Sequence, residues 1–90
     1  MLRITENREN GVAVRLRLDG TVSLESLADL AALCTKHRVN GRIVIIDMAG
    51  VNFMAHEAAC DLASLRGDHL RIINCSPFIA ALLDAAKTSS

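Results

Sequence analysis

The residues best suited to chemistry stand together in the stretch His56-Glu57-Ala58-Ala59-Cys60. On a helix, His56 and Cys60 lie on one face, four residues apart, with Glu57 between them in the sequence, as in the H-E-x-x-H pattern of zinc peptidases. The second ligand is a cysteine, and no third ligand stands nearby in the sequence, although zinc sites use three or four. We therefore expect no metal, cofactor or catalytic residue here and keep metal binding as an alternative.

Other catalytic patterns are missing from the sequence. It contains no Gly-rich phosphate loop, no G-x-S-x-G and no paired carboxylates in an apolar setting. Asp47 follows an apolar run, in a position typical of α/β active sites, but an aspartate at a strand end commonly forms a turn. We interpret Asp47 as structural, and the sequence predicts a protein that is not an enzyme.

The helix that carries His56 follows a predicted central strand. The β-branched run at 43–46 is apolar on both faces, is too short for a helix and is predicted to end at Asp47. Gly50 and Asn52 indicate a turn, and helical spacing begins at Ala55. A helix start directly after a strand is where α/β folds usually place ligand or partner contacts, because its N–H groups are unpaired.

Hydrophobic periodicity predicts the other elements. Residues 2–7 and 12–19 alternate as two strands joined by a turn at Asn10-Gly11, and 70–74 is a fourth strand. Ser23 and Ser76 are placed to cap the first and third helices. The first helix should bury a broad stripe of Leu24, Leu27, Ala28, Ala31 and Cys34, widened by Leu30 and Leu33. The second helix should bury Met54, Ala58, Leu62 and Leu65, and the third Phe78, Ile79, Leu82, Leu83 and Ala86.

These elements predict an α/β fold in the order β-β-α-β-α-β-α, with an α+β-like mixed sheet of four strands and three helices. The two strand-helix-strand units imply right-handed parallel crossovers after the first hairpin. Ninety residues bury enough surface for one domain, which we place at 1–90 with a polar tail at 87–90.

The composition of the chain argues against a nucleic-acid partner and against membrane insertion. Ten basic residues balance ten acidic ones and only two aromatic residues occur, so we expect no nucleic-acid partner. No apolar run approaches the ~20 residues of a membrane span, so no membrane insertion is expected. Cys34, Cys60 and Cys75 are odd in number and widely spaced, which favours reduced thiols and a cytoplasmic location.

Three stretches resemble the STAS domains of bacterial anti-sigma factor antagonists. They are L-D-G-T-V-S at 18–23, I-D-M-A-G-V-N-F-M at 46–54 and R-I-I-N-C-S-P-F-I-A-A-L-L at 71–83. The resemblance implies a signalling domain in transcription regulation that binds an anti-sigma factor, a histidine-kinase-like ATPase or another regulatory complex. It also implies a partner-binding surface formed by Thr21, Ser23, Asn52, His56, Glu57, Cys60 and Asp61.

The phosphorylation switch of that family has no counterpart here. Residues 55–58, Ala-His-Glu-Ala, stand where the family has D-S-S-G, and Ser23 stands where it has an aspartate. No phosphorylation site is therefore expected. Glu57 either imitates a phosphoserine or only complements the helix dipole, and the second interpretation is favoured. The alternative function is a small-ligand or metal sensor that uses His56, Glu57 and Cys60.

The central strand also raises the question of self-association. If helices cover only one face of the sheet, Ile43 and Ile45, or else Val44 and Ile46, lie on the outer face. The arginines near that outer face are Arg15, Arg17 and Arg71. An exposed apolar sheet face often marks an interface, so a homodimer through this face is a further expectation.

Overall fold

The computed structural model describes residues 2–65, 67 and 69–88. The chain folds into one mixed sheet with helices packed against one face. Its elements are β1 Leu2–Arg8, β2 Ala13–Val22, α1 Leu24–Val39, β3 Ile43–Met54, α2 His56–Leu65, β4 Leu70–Ile73 and α3 Pro77–Thr88. The predicted order, the α/β class and the four-stranded mixed sheet are confirmed.

The strands lie in the order β1-β2-β3-β4. β1 pairs with β2 antiparallel, and β2, β3 and β4 run parallel. The hairpin turn between β1 and β2 is held by Asn10, whose Oδ1 accepts the N–H groups of Val12 and Ala13 at 2.8 and 2.9 Å. This is the local bonding that makes asparagine a turn former. Val12 itself is 60 % exposed and not in the core as its alternation suggests.

The two faces of the sheet differ in burial. On the face toward the helices, Val44 and Ile46 are fully buried with the β2 and α2 core residues. On the other face Ile43 and Ile45 are half-buried, and the register places Ile45 between Arg15 and Arg71. The helices therefore leave one face open, with the isoleucine pair on it. The homodimer through that face stays a prediction.

The first helix begins as predicted and buries only part of the predicted stripe. The Ser23 side chain accepts the N–H of Ser26, at 3.2 Å, and caps α1. Leu24 is 47 % exposed and Ala28 is exposed, so both predictions of burial are wrong. The buried residues of α1 are Leu27, Leu30, Cys34 and His37.

His37 helps to explain which side of α1 faces the sheet. Its side chain is buried, and its Nε2 lies 2.6 Å from Oε1 of Glu6 on β1, while its Nδ1 lies 3.3 Å from Nη1 of Arg42. A buried imidazole needs such partners, and these two satisfy both ring nitrogens. The hydrogen bond to His37 lowers the pKa of Glu6, although burial opposes this shift. The last turn of α1 is therefore fastened to the edge strand β1.

The central strand is longer than predicted. β3 does not end at Asp47 but continues to Met54, and β2 likewise continues to Val22. The two strands stay paired beyond Asp47 through register shifts, with Thr21 opposite Phe53. The turn signal at Gly50 reflects close packing, because a Cβ at this position would lie 2.8 Å from the carbonyl oxygen of Leu18.

The third helix opens as predicted, with one change in its buried side. The Ser76 hydroxyl accepts the N–H of Ile79, at 3.2 Å, and Pro77 is the first helical residue. Phe78 is 53 % exposed, so its predicted burial is wrong. The helix extends to Thr88 and includes the start of the stretch 87–90, of which residues 89 and 90 lie outside those described. Within the described ranges, no helix has the length and hydrophobicity to cross a membrane.

Candidate functional site

Three loops meet where the parallel strands β2, β3 and β4 end. The Ala55 N–H donates to the Val22 carbonyl at 2.9 Å and joins the start of α2 to the end of β2. β4 ends earlier, with Ile73 opposite Asp47, and leads into α3, whose first turn reaches the end of β3 through the contact of Phe78 with Phe53. We call the surface formed by residues 20–23, 52–57 and 74–78 the carboxyl edge of the sheet. Polar side chains and helix starts gather there because parallel strands all end on the same side.

Both aromatic residues of the chain lie on the carboxyl edge. The rings of Phe53, at the end of β3, and Phe78, in the first turn of α3, are stacked with centroids 6.4 Å apart and planes 27° apart. Phe53 is 50 % exposed and Phe78 is 53 % exposed, whereas the core consists of aliphatic residues, methionine, alanine and cysteine. A small domain that keeps its only aromatic residues outside the core, against each other, presents an apolar contact surface.

The residues predicted for β2 and β3 lie on this edge. Thr21 is opposite Phe53 in the strand register and half-buried, and Asn52 is exposed. The Ser23 hydroxyl is engaged by the cap of α1 and by a 3.1 Å contact with the Ser26 hydroxyl. Thr21 and Asn52 thus adjoin the aromatic pair, and Ser23 contributes mainly by starting α1.

The residues predicted on α2 divide between two sides of the helix. His56 and Cys60 face each other, with Nε2 and Sγ 3.8 Å apart, while Asp61 lines a groove toward α1. Glu57 is exposed in the first turn, where its negative charge favours the helix dipole. The structure therefore places all seven predicted residues at or near the carboxyl edge without joining them into one cluster.

Residues 55–58, which stand where the resembled family has its serines, carry no hydroxyl group. His56 and Glu57 are exposed and Ala58 is fully buried. The nearest serine on α2, Ser64, donates its hydroxyl to the Asp61 carbonyl at 2.6 Å. The exposed side chains at this helix start can contact a partner, and none of them carries a hydroxyl group.

A metal site needs more ligands than this helix offers. No cluster of three His, Cys, Asp or Glu side chains with metal-binding geometry occurs in the described part of the chain. Cys34 is enclosed in the core, where burial raises the pKa of its thiol to about 11, although the Arg38 charge opposes the shift. Metal-binding cysteines are thiolates, so Cys34 is unsuited to complete a site with His56 and Cys60. No observation favours the sensor alternative.

Asp47 orders the loops beneath the carboxyl edge. Its Oδ1 accepts the Ala49 N–H and the Asn74 side-chain amide, each at 3.0 Å, and its Oδ2 lies 3.9 Å from Nη1 of Arg15. Burial alone would raise the pKa of Asp47, but the two hydrogen bonds and the charges of Arg15 and Arg17 outweigh burial and lower it. Asn74 has a φ of 59°, a conformation that asparagine tolerates and this hydrogen bond helps to hold.

The lowered pKa of Asp47 predicts that the domain loses stability in acid. A carboxyl group whose pKa is lower in the folded state stabilises the fold above its unfolded pKa of about 3.9, and this contribution disappears as the pH falls through the folded pKa. Urea unfolding from pH 7 to pH 3 should therefore show stability falling less steeply for Asp47→Asn than for wild type. Asn74→Gly keeps the left-handed backbone, loses one donor and should fall between them. Equal slopes for wild type and Asp47→Asn would contradict this account.

Sheet order and helix placement define a STAS-like fold. Among solved structures, that of the anti-sigma factor antagonist SpoIIAA in its unphosphorylated form matches with a TM-score of 0.69 and 17 % identity, over 94 % of this chain and 81 % of that one. An uncharacterised DUF3478-family protein with a SpoIIAA-like fold, from Shewanella loihica PV-4, matches with a TM-score of 0.61 and 16 % identity, over 99 % and 79 %.

The resemblance in sequence motifs thus agrees with the resemblance in fold. No protein-family model and no curated protein sequence matches the chain.

Proposed function

We propose that this chain is a non-catalytic regulatory domain that binds another protein through the carboxyl edge of its sheet. The exposed stack of Phe53 on Phe78 carries the proposal, because large aromatic side chains supply most of the affinity at many protein interfaces. Thr21 and Asn52 provide polar groups beside the stack, and Glu57 provides a negative charge at the adjoining helix start.

The fold supports the partner class. SpoIIAA is an anti-sigma factor antagonist, so the proposed partner is an anti-sigma factor, a histidine-kinase-like ATPase or another regulatory complex. Because residues 55–58 carry no hydroxyl group, binding is not controlled by phosphorylation at this helix start. The domain then acts as a constitutive partner, regulated by its abundance or by its partner.

Removing either ring should weaken partner binding. Phe53→Ser and Phe78→Ser each delete one half of the stack, and loss of an aromatic anchor at an interface typically costs about 2 kcal/mol or more. The tagged wild-type domain and both variants are used for affinity capture from the native cytosol, with bound proteins identified by mass spectrometry. We expect a kinase-type ATPase or an anti-sigma factor with wild type and about thirtyfold weaker binding of it by each variant.

Val12→Ser is the matched control, since Val12 is 60 % exposed just before β2, at the end of that strand opposite the carboxyl edge. It removes a comparable apolar side chain away from the carboxyl edge and should leave capture unchanged. Circular dichroism melts confirm that all variants fold. Capture that is equally strong with Phe53→Ser, Phe78→Ser and wild type would exclude the carboxyl edge as the binding surface.

A further inference from the structure

An apolar groove runs along the side of α1 that faces α2. Its first part has a volume of about 360 Å³ and is lined by Leu24, Ala28 and Ala31 on α1, with Asp61 and Leu65 on α2. Leu24, on this side of α1, is 47 % exposed. The small alanine side chains leave a gap between the two helices that another apolar element can fill.

A second depression lies further along the same helix. It has a volume of about 410 Å³ and is lined by Thr35, Arg38 and Val39 on α1 and by His69 before β4. Thr35 lies one turn beyond the α1 residues of the first depression and on the same face. From Leu24 to Arg38 the two depressions span about 21 Å at the helical rise of 1.5 Å per residue. We call this strip, defined by residues 24, 28, 31, 35 and 38, the α1 groove.

The two ends of the α1 groove carry opposite charge. At the end nearer the carboxyl edge, Asp61 lines the groove, Glu57 lies one turn before it on α2 and Glu25 lies at the start of α1. None of these three carboxylates has an ion pair or a side-chain hydrogen bond with the residues that the structure describes. The other end carries the positive charge of Arg38.

We propose that the α1 groove binds one amphipathic helix of the partner protein, antiparallel to α1. A strip of about 21 Å fits roughly four helical turns and is far longer than a small ligand needs. Helices favour acidic residues at their N-terminus and basic residues at their C-terminus. In the antiparallel orientation the acidic end lies over Arg38 and the basic end over Asp61, so both charge contacts are favourable. The inference rests on the proposed function, because the helix belongs to the protein that docks on the carboxyl edge.

A synthetic helix tests the groove without any natural partner. The probe is a capped, fluorescein-labelled peptide of about 16 residues with a leucine stripe, glutamates in its N-terminal half and lysines in its C-terminal half. We expect saturable binding by fluorescence anisotropy. Ala28→Arg fills the groove and should weaken binding by at least about tenfold. Asp61→Lys reverses the charge of one residue that lines the α1 groove and should weaken peptide binding about two- to fivefold.

The control is Ala81→Arg, which adds the same charge at an exposed position on α3 and should leave the affinity unchanged. Equal affinity of wild type and Ala28→Arg would overturn the proposal, as would no saturable binding up to about 1 mM peptide. Binding of an uncharged apolar probe such as decanol, lost in Ala28→Arg, without peptide binding would also overturn it and assign the groove to a small ligand.

The same probe separates this inference from the proposed function. Phe53→Ser and Phe78→Ser lie outside the α1 groove and should bind the peptide as wild type does. If they also capture the natural partner as wild type does, the carboxyl edge fails while the groove stands. If peptide binding fails and capture still depends on the two rings, the groove fails while the carboxyl edge stands.

Discussion

Replacing Leu30 by alanine is expected to destabilise the domain by about 2 to 5 kcal/mol. Leu30 is fully buried on the side of α1 that packs into the core, and its loss leaves a cavity that the surrounding sheet cannot close. Domains of this size have only about 5 to 15 kcal/mol of stability, so the midpoint of urea unfolding should fall steeply. The unfolding slope should stay the same, because the folded state keeps its topology.

Leu24→Ala is the matched control on the same helix. It makes the same chemical change at a side chain that is 47 % exposed, six residues earlier, and should cost less than about 1 kcal/mol. Similar losses for the two variants would mean that Leu24 is buried, as predicted from the sequence, and not exposed as in the structure.

The comparison of these two leucines shows what periodicity can predict for α1. Apolar residues at 24, 27, 28, 31 and 34 give a helical stripe, and residues 30 and 33 widen it, so the helix itself is predictable. Which part of a wide stripe is buried depends on what packs against it. Here the hydrogen bond between His37 and Glu6 fixes which side of α1 faces the sheet, and Glu6 is 31 positions away in the sequence. Local spacing carries no information about such a partner.

The length of β3 was unpredictable for a related reason. Gly50 and Asn52 have the residue types of a turn, yet the chain stays extended through Met54 because β2 continues beside it. Strand pairing supplies the hydrogen bonds that override the local preference of these residues. The predicted order of elements is correct although the predicted end of β3 is wrong, since β3 still leads directly into α2.

The elements around the candidate site were predicted, whereas the role of its residues in partner binding stays a prediction. Motif order placed Thr21, Asn52 and the start of α2 on one edge, and the Ala55 to Val22 hydrogen bond brings them together. The aromatic pair was missed because Phe78 was counted with the apolar side of α3. A signal was available: Phe78 lies about 100° around the helix from Ile79 at the centre of that side.

Gly50→Ala is expected to destabilise the domain by about 1 to 3 kcal/mol, as overpacking of a filled site does. The added Cβ would lie 2.8 Å from the Leu18 carbonyl oxygen and against the carboxylate of Asp19, in a place where β2 and β3 are already paired. The Asp19 side chain can turn away, but the Leu18 carbonyl is backbone and can move only if the strands separate. Thermal unfolding should show the loss, at about 4 to 8 °C per kcal/mol for a domain of this size.

Gly11→Ala is expected to change the stability in the opposite direction. No atom lies within 4 Å of a Cβ at Gly11, and its φ is outside the left-handed region, so the alanine costs no strain. Restricting the unfolded chain should then stabilise the domain by up to about 1 kcal/mol. Because the clash at Gly50 pushes apart the strands that carry Thr21 and Phe53, Gly50→Ala should also weaken partner capture. A Gly50→Ala protein as stable as Gly11→Ala would show that β2 and β3 separate near their ends at little cost, and the carboxyl edge would then lack a rigid base.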